Sequence, residues 1–411
     1  MFEGGLFVGL DIGATKVCTA IGEYDTRGNL RIAGLGVLPV GGTRKGTIVN
    51  IDSTGAAVLE CIERTEQEAG RTVEDLYVSL PAANLEGINS RGVVAVSAKN
   101  KEVSTHDIER VLDVARAIVV PMDREIIHSL PQHYSLDNQD GVPDPLNMIG
   151  VRLGAEVHVI TAPIATTQNI ISCVNRSGYM LNEIVMDTWA SSFAVLTDDE
   201  RENGVLYIDM GGDTTDWIIV KNGALWHSGS LPVGGNLVTN DISCVLKTPT
   251  EAAENIKREV GCCYHGMIEK DEGVIVPGVA NLPPQTVFVR EICDILEARM
   301  REVFSLIKKD AELSRFLPRL RGGAVISGGG ALLNGTSELA AHILDLPVRI
   351  GFPLRPGDLK REYINPAYAT ALGLVQYGHM FGGGSERMPE KVGARVSKPV
   401  QGIMDWFKEF F

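Results

Sequence analysis

The feature that most constrains this 411-residue chain is a pattern that occurs twice. Residues 6–23 read LFVGLDIGATKVCTAIGE, and residues 204–223 read GVLYIDMGGDTTDWIIVKNG. Each is an apolar run, then Asp-x-Gly with a threonine close behind, then a second apolar run. Apolar runs of strand length joined by a glycine turn predict a β-hairpin. The tip has the composition of a phosphate-binding turn, because glycine lets backbone N–H groups approach phosphate oxygens unobstructed. Two such hairpins can close on a nucleotide from opposite sides.

Gly13, Gly211 and Gly212 meet the need for open backbone at the tips, next to Ala14 in the first. Thr15, Lys16, Thr214 and Thr215 can add hydroxyl or ammonium donors. Asp11 and Asp209 serve another purpose. A carboxylate beside a phosphate is repelled unless a cation sits between, so the two aspartates are expected Mg²⁺ partners, through water. A third glycine turn, Gly328, Gly329 and Gly330, follows a strand and opens a helix. That arrangement suits packing against a base and approaching an α-phosphate. A single Asp-x-Gly is more often a plain turn. Two copies with matched flanks, together with the triple glycine, reverse that judgement.

Composition narrows the class. Charged residues are 22% and hydrophobic residues 44%, as in an ordinary globular protein. The formal net charge of −14 argues against nonspecific nucleic-acid binding and against simple attraction to anionic lipid. The seven cysteines include the adjacent pair Cys262–Cys263 and fit no disulfide framework, which points to a reducing cytoplasm. The N-terminal residues have no signal-peptide pattern, and no apolar run is long enough to predict a transmembrane helix.

Along the chain, the first hairpin leads to a third strand (30–40), a glycine-rich turn (41–46) and a helix over 52–69. The periodicity puts Ala56, Leu59, Cys61 and Ile62 of that helix inward, with Asp52 or Ser53 as its N-cap. A strand follows at 73–81. Residues 84–160 read as a separate small unit of strand, helix, strand and strand. Its helix is capped by Ser104 or Thr105, with Ile108, Val111, Leu112 and Ala115 inward. His128, His133 and His158 lie in it without metal-like spacing and read as packing or surface histidines. Then come a helix (164–177), a strand (180–187) and a small-residue helix (189–197). After the second hairpin, helices are expected near 234–246, 249–261 and 285–309. A last small-residue helix (365–378) is suited to pair with 189–197.

The order of DIGATK (11–16), DTWASSFAVL (187–196), DMGGDTTD (209–216), VISGGGALL (325–333) and AYATALG (367–373) resembles the actin/Hsp70/sugar-kinase ATPase superfamily. Within it, the chain is similar to the FtsA family of bacterial cell-division proteins. PVGGNLVTNDIS (232–243), AAENIKREVG (252–261) and the inserted unit carry the closer likeness. The resemblance covers nearly the whole chain and implies an α/β, actin-like duplicated two-domain fold with a small inserted α+β subdomain. The implied division is 1–83 and 163–203 in domain 1, 84–162 as the insert, 204–360 as domain 2, and 361–380 as a return helix to domain 1. Residues 381–399 become a linker and 400–411 an amphipathic helix. The likeness further places adenine and ribose between the 252–261 helix and the triple glycine, with Glu254, Lys257 and Arg258 on one helix face and Gly234 and Gly235 lining the cleft.

Two departures from the family pattern bear on turnover. Asp213 stands where a third glycine is usual, near the expected γ-phosphate. It can weaken binding, recruit another cation, or point away. Asp187 stands where strongly hydrolysing relatives place a glutamate to position water, and it is one methylene shorter. ATP binding with slow hydrolysis is the expectation.

At 100° per residue, Ile403, Trp406, Phe407, Phe410 and Phe411 cluster on one side of a terminal helix, opposite Gln401, Asp405, Lys408 and Glu409. Twelve residues reach roughly 18 Å, too short to span a bilayer core of about 30 Å. A helix lying in the interface fits better, with Trp406 as its anchor. The resemblance implies filaments that tether the tubulin-like FtsZ through its C-terminal tail to the cytoplasmic face of the inner membrane at the septum, and recruitment of downstream division proteins. A small-molecule kinase would need an acceptor pocket, a chaperone would need a further domain after 380, and a pilus-assembly relative would leave the terminal helix unexplained.

Overall fold

The computed structural model describes residues 5–83, 85–313, 316–354 and 359–382. The expected linker beyond 382 and the terminal helix with Ile403, Trp406, Phe407, Phe410 and Phe411 lie outside the described residues. Among the described residues, no helix is long and apolar enough to cross a membrane.

Each repeated pattern folds as an antiparallel hairpin at the centre of its own five-stranded sheet. In the first, Leu6–Ile12 pairs with Lys16–Tyr24, so that Ile12 lies opposite Val17. In the second, Val205–Met210 pairs with Thr215–Lys221, with Met210 opposite Thr215. Leu30–Pro39 and Ala224–Leu231 extend the meanders on one side. On the other side come two parallel strands, Asp75–Leu80 then Met180–Met186 in the first sheet, and Ala324–Ser327 then Val348–Ile350 in the second. The two sheets therefore share one strand order, the mark of a duplicated unit.

The helix Asp187–Val195 and the helix Ala369–Phe381 pack together between the sheets. Small residues permit the contact. A Cβ on Gly373 would collide with the Ala190 carbonyl oxygen, and one on Gly9 would stand 2.7 Å from Leu374 Cβ. Their apolar side chains join Tyr207, Ile218 and Val325 of the second sheet in one core. On the outer faces, Ile51–Ala69 covers the first sheet, and Gly235–Leu246, Val289–Leu313 and Thr336–Leu344 cover the second.

Local readings needed three corrections. The helix Ile51–Ala69 is capped by Asn50, whose side chain accepts from the Ser53 N–H, rather than by Asp52 or Ser53. Its inward face is Thr54, Val58, Cys61, Ile62 and Thr65; Ala56 and Leu59 are exposed. Residues Gln285–Phe288 form a hairpin strand with Gly273–Val276, so the long helix starts only at Val289.

The inserted unit is a four-stranded antiparallel sheet, with Glu86–Ala95, Arg152–Pro163, Arg124–Leu136 and Gln139–Val142 in that order, covered by Thr105–Arg116. Ser104 and Asp107 form a reciprocal cap at the helix start, and Ile108, Val111, Leu112 and Ala115 are buried. The unit also touches the second sheet's edge strand. Gln132 Nε2 donates to the carbonyls of Leu225 and Trp226, and His158 Nε2 meets Ser228 Oγ at 2.9 Å.

Burial holds His128 down at about 4 and His158 at about 3, and His128 Nε2 accepts the Met186 N–H at 3.0 Å. A protonated ring could not accept that bond. A histidine whose folded pKa is depressed stabilises the fold fully above its unfolded value of about 6.5, and loses that contribution as pH falls towards the folded value. His128→Gln keeps an acceptor without the titration. The stability advantage of the wild type over His128→Gln should shrink by about 2 kcal/mol between pH 7.5 and pH 5. Denaturant titrations at the two pH values measure it, and a pH-independent difference would contradict the assignment.

Candidate nucleotide cleft

The two hairpin tips are built alike and face each other. The Gly13 N–H donates to the Lys16 carbonyl at 2.9 Å, and the Gly211 N–H donates to the Thr214 carbonyl at the same distance. A Cβ on Gly212 would stand 2.7 Å from Thr15 Cγ2 and 3.6 Å from Ala14 Cβ across the gap. The tips, the Gly328–Gly329 turn and the Pro366–Thr370 segment line a single cleft. Asp11, Asp187, Asp209, Asp213 and Asp216 face it, with Lys16 as the basic residue of its lining.

The carboxylates dominate its electrostatics. Burial raises Asp11, against the pull of Lys16 and a 2.9 Å hydrogen bond from Ser79 Oγ. Burial and the Asp11 charge push Asp209 up to about 6. Burial and the Asp209 charge push Asp216 up to about 7, against hydrogen bonds from Ser230 and Thr214. Asp187 is raised well above the usual carboxylate range by burial and by Asp216 and Asp209. Four mutually repelling carboxyl groups with one facing ammonium form a donor set for a hard divalent cation. Mg²⁺ therefore fits the residues present.

Sequence reasoning did not single out Asp216, although it ends the DMGGDTTD motif. It faces Asp209 across the ladder, where the first hairpin has Cys18 opposite Asp11. Counting cross-strand partners in the repeated pattern would have revealed it. Asp213 also lines the cleft. Its Oδ2 accepts the Lys45 N–H at 2.6 Å and its Oδ1 accepts from Asn236 Nδ2 at 2.8 Å. Both oxygens are engaged, and the first ties the second hairpin to the 41–48 turn of the first sheet's side.

Other predicted site residues lie beside the second hairpin, next to the cavity that the tips enclose. The N–H groups of Gly235 and Asn236 donate to the Gly211 and Gly212 carbonyls, and a Cβ on Gly234 would press within 2.6 Å of the Gly212 carbonyl. Thr215 Oγ1 is turned to the Val233 carbonyl. Lys257 Nζ binds the Gly235 carbonyl, Thr239 Oγ1 and Glu254 Oε2, all within 3.0 Å, and Arg258 pairs with Glu254 Oε1. Despite its partial burial, these partners hold Glu254 down at about 2. Gly330 backs onto Met210, where a Cβ would stand 2.9 Å from Met210 Cβ.

Two sheets of one order, a helix pair between them and a cleft where two Asp-x-Gly tips meet define an actin-like ATPase fold. The chain belongs to the FtsA family of cell-division proteins. It is 41% identical to the cell division protein FtsA of Borreliella burgdorferi over 91% of each chain. It is 33% identical to that of Escherichia coli K12 over 99% of this chain and 98% of the other. Residues 206–373 match the family described as cell division protein FtsA, and residues 82–161 the SHS2 domain inserted in FTSA. Similar solved structures include the PilM–PilN type IV pilus biogenesis complex, with a TM-score of 0.64 at 17% identity over 90% of this chain and 98% of that one. Another is MreB5 of Spiroplasma citri bound to ADP, with a TM-score of 0.55 at 14% identity over 91% and 95%. These likenesses speak to the fold.

Proposed function

We propose that the chain binds Mg-ATP between its two hairpin tips, polymerises as an actin-like filament, and tethers the C-terminal tail of FtsZ to the cytoplasmic face of the membrane at the septum, where it recruits further division proteins. The observation that carries the nucleotide part is the facing pair of tips with five carboxylates around one cleft. Gly13, Ala14, Thr15 and Lys16 on one side, and Gly211, Gly212 and Thr214 on the other, are the phosphate contacts in this reading. Asp11 and Asp209 are the residues that would hold Mg²⁺, which supplies the positive charge that lets carboxylates and phosphates share the cleft. Gly328 and Gly329 would receive the base and α-phosphate side. Adenine and ribose would lie between the triple glycine and the Thr250–Glu259 helix, which carries Glu254, Lys257 and Arg258.

Turnover is slow in this reading. Asp187 Oδ1 already accepts the Thr188 N–H at 2.6 Å and the Thr188 hydroxyl at 3.0 Å, and its side chain is one methylene shorter than a glutamate. A short, partly occupied carboxyl orients an attacking water poorly. The domain division that goes with this function keeps 1–83, 163–203 and 361–380 together, with 84–162 inserted and 204–360 as the second half.

Asp11→Ala and Asp209→Ala should each weaken Mg-ATP binding about tenfold, on the order of 1–2 kcal/mol for a lost charged contact. Calorimetric titration with Mg-ATP and with metal-free ATP separates the two terms, since only the former should suffer. Unchanged Mg-ATP affinity in both variants would remove the aspartates from the cation site. Sugar phosphorylation above background would favour a kinase instead.

A further inference from the structure

A second cluster of ligand-bearing side chains lies away from the cleft. His265 sits in the short turn His265–Met267 that follows the helix Thr250–Glu259. Cys293 and Glu297 are one helical turn apart on Val289–Leu313, and so share a face. One ligand atom from each of the three lies within 4.8 Å of the others. Cys293 is a free and fully buried thiol, while His265 is exposed, so the cluster has a closed inner side and an open outer side.

We propose that His265, Cys293 and Glu297 form a zinc site. Imidazole, thiolate and carboxylate together are borderline-to-soft donors, which favour Zn²⁺ over the hard Mg²⁺ of an all-oxygen site. Bonds of about 2.0–2.3 Å put donors around one tetrahedral ion roughly 3.3–3.8 Å apart. The cluster reaches that by drawing in about 1 Å, mostly through the exposed His265 ring. Three protein ligands leave the fourth position to water on the solvent side. Surrounding groups already hold two ligands in place. The His265 N–H donates to Glu297 Oε2 at 3.1 Å, His265 Nε2 meets Asp294 Oδ1 at 2.8 Å, and Arg301 pairs with Glu297 Oε1 at 2.6 Å. A carboxylate on a ligating histidine is the usual orienting partner.

Binding releases the Cys293 thiol proton to solvent as the sulfur–metal bond forms. It ties the 262–268 segment to the long helix. That segment also pairs with the chain just after the triple glycine, since the Cys263 N–H donates to the Asn334 carbonyl at 2.8 Å. The site thus fastens one wall behind the cleft without touching the cleft.

The test uses the full chain freed of metal by chelation, then titrated with Co²⁺ in excess Mg²⁺, which occupies the cleft carboxylates. One equivalent should give a thiolate-to-cobalt absorption band that Zn²⁺ abolishes. Cys293→Ser should lose the band, and His265→Gln should weaken binding at least tenfold. Cys244→Ser, an exposed cysteine elsewhere, should leave both unchanged. His265 is exposed, so its variant keeps the fold and the test stands if Cys293→Ser does not. Absence of a thiolate band in the wild type, or wild-type affinity in His265→Gln, would overturn the site.

Discussion

Gly328→Ala should cost the cleft about thirtyfold in ATP affinity, on the order of 2 kcal/mol, and lower the melting temperature as well. Gly328 has φ 81° and ψ 169°, a region that residues with a Cβ essentially avoid. Its own surroundings forbid the atom too. A Cβ there would collide with Asp209 Oδ1 and stand 2.5 Å from the Met210 carbonyl oxygen. Relief requires the turn to swing out or Asp209 to move, and both form walls of the cleft. The next glycine provides the contrast. A Cβ on Gly329 would find only Ala367 Cβ, at 3.9 Å, an ordinary contact. Gly329→Ala should therefore fold and melt like the wild type, so that any affinity it loses comes from the added methyl group meeting the nucleotide. Calorimetry and thermal melts on Gly328→Ala decide the matter. Wild-type affinity and melting temperature in Gly328→Ala would contradict the strain at the turn.

Deleting residues 400–411 should release the protein from lipid vesicles while leaving ATP binding intact. The five apolar side chains that the sequence pattern would gather on one side are worth at most roughly 1.5–3 kcal/mol each when fully buried. Partial insertion and the ordering of a short helix take back much of that. A single copy then binds reversibly, and many copies on one polymer bind firmly, because linked weak contacts multiply. The charges of this segment add little attraction to anionic lipid, since Lys408 is offset by Asp405 and Glu409. Arg387, Lys391, Arg395 and Lys398 precede it and add a modest term. Trp406→Glu with Phe410→Glu should reproduce the deletion. Vesicle pelleting unchanged by the deletion would place the membrane contact elsewhere.

The duplicated architecture was legible because a hairpin writes itself twice: two apolar runs, one glycine turn, and the same strand order around each. The small-residue helices were legible for a similar reason, as Gly373 against Ala190 admits nothing larger. Local polar detail was not. Asn50 caps the helix because helical backbone begins at Ile51, which puts Asp52 and Ser53 inside the first turn. The inward helix face was rotated from the apparent stripe because Thr54 and Thr65 are buried, and Thr65 satisfies its hydroxyl on the Cys61 carbonyl. Asp213 lines the cleft, but its partners Lys45 and Asn236 come from distant positions that only the fold brings together. Lys257 and Glu254 share a helix face as the spacing implied, yet they spend their charges on each other and on the Gly235 and Thr239 groups.

In the proposed function, nucleotide cleft, polymer and terminal segment act as one adaptor, and recruitment of FtsZ to lipid tests that most directly. Vesicles, FtsZ and the full chain are pelleted together with Mg-ATP, with Mg²⁺ alone, and with the chain lacking 400–411. FtsZ should pellet with the vesicles only with the full chain, and most strongly with Mg-ATP. FtsZ remaining in the supernatant with the full chain and Mg-ATP, or pelleting equally with the shortened chain, would contradict it.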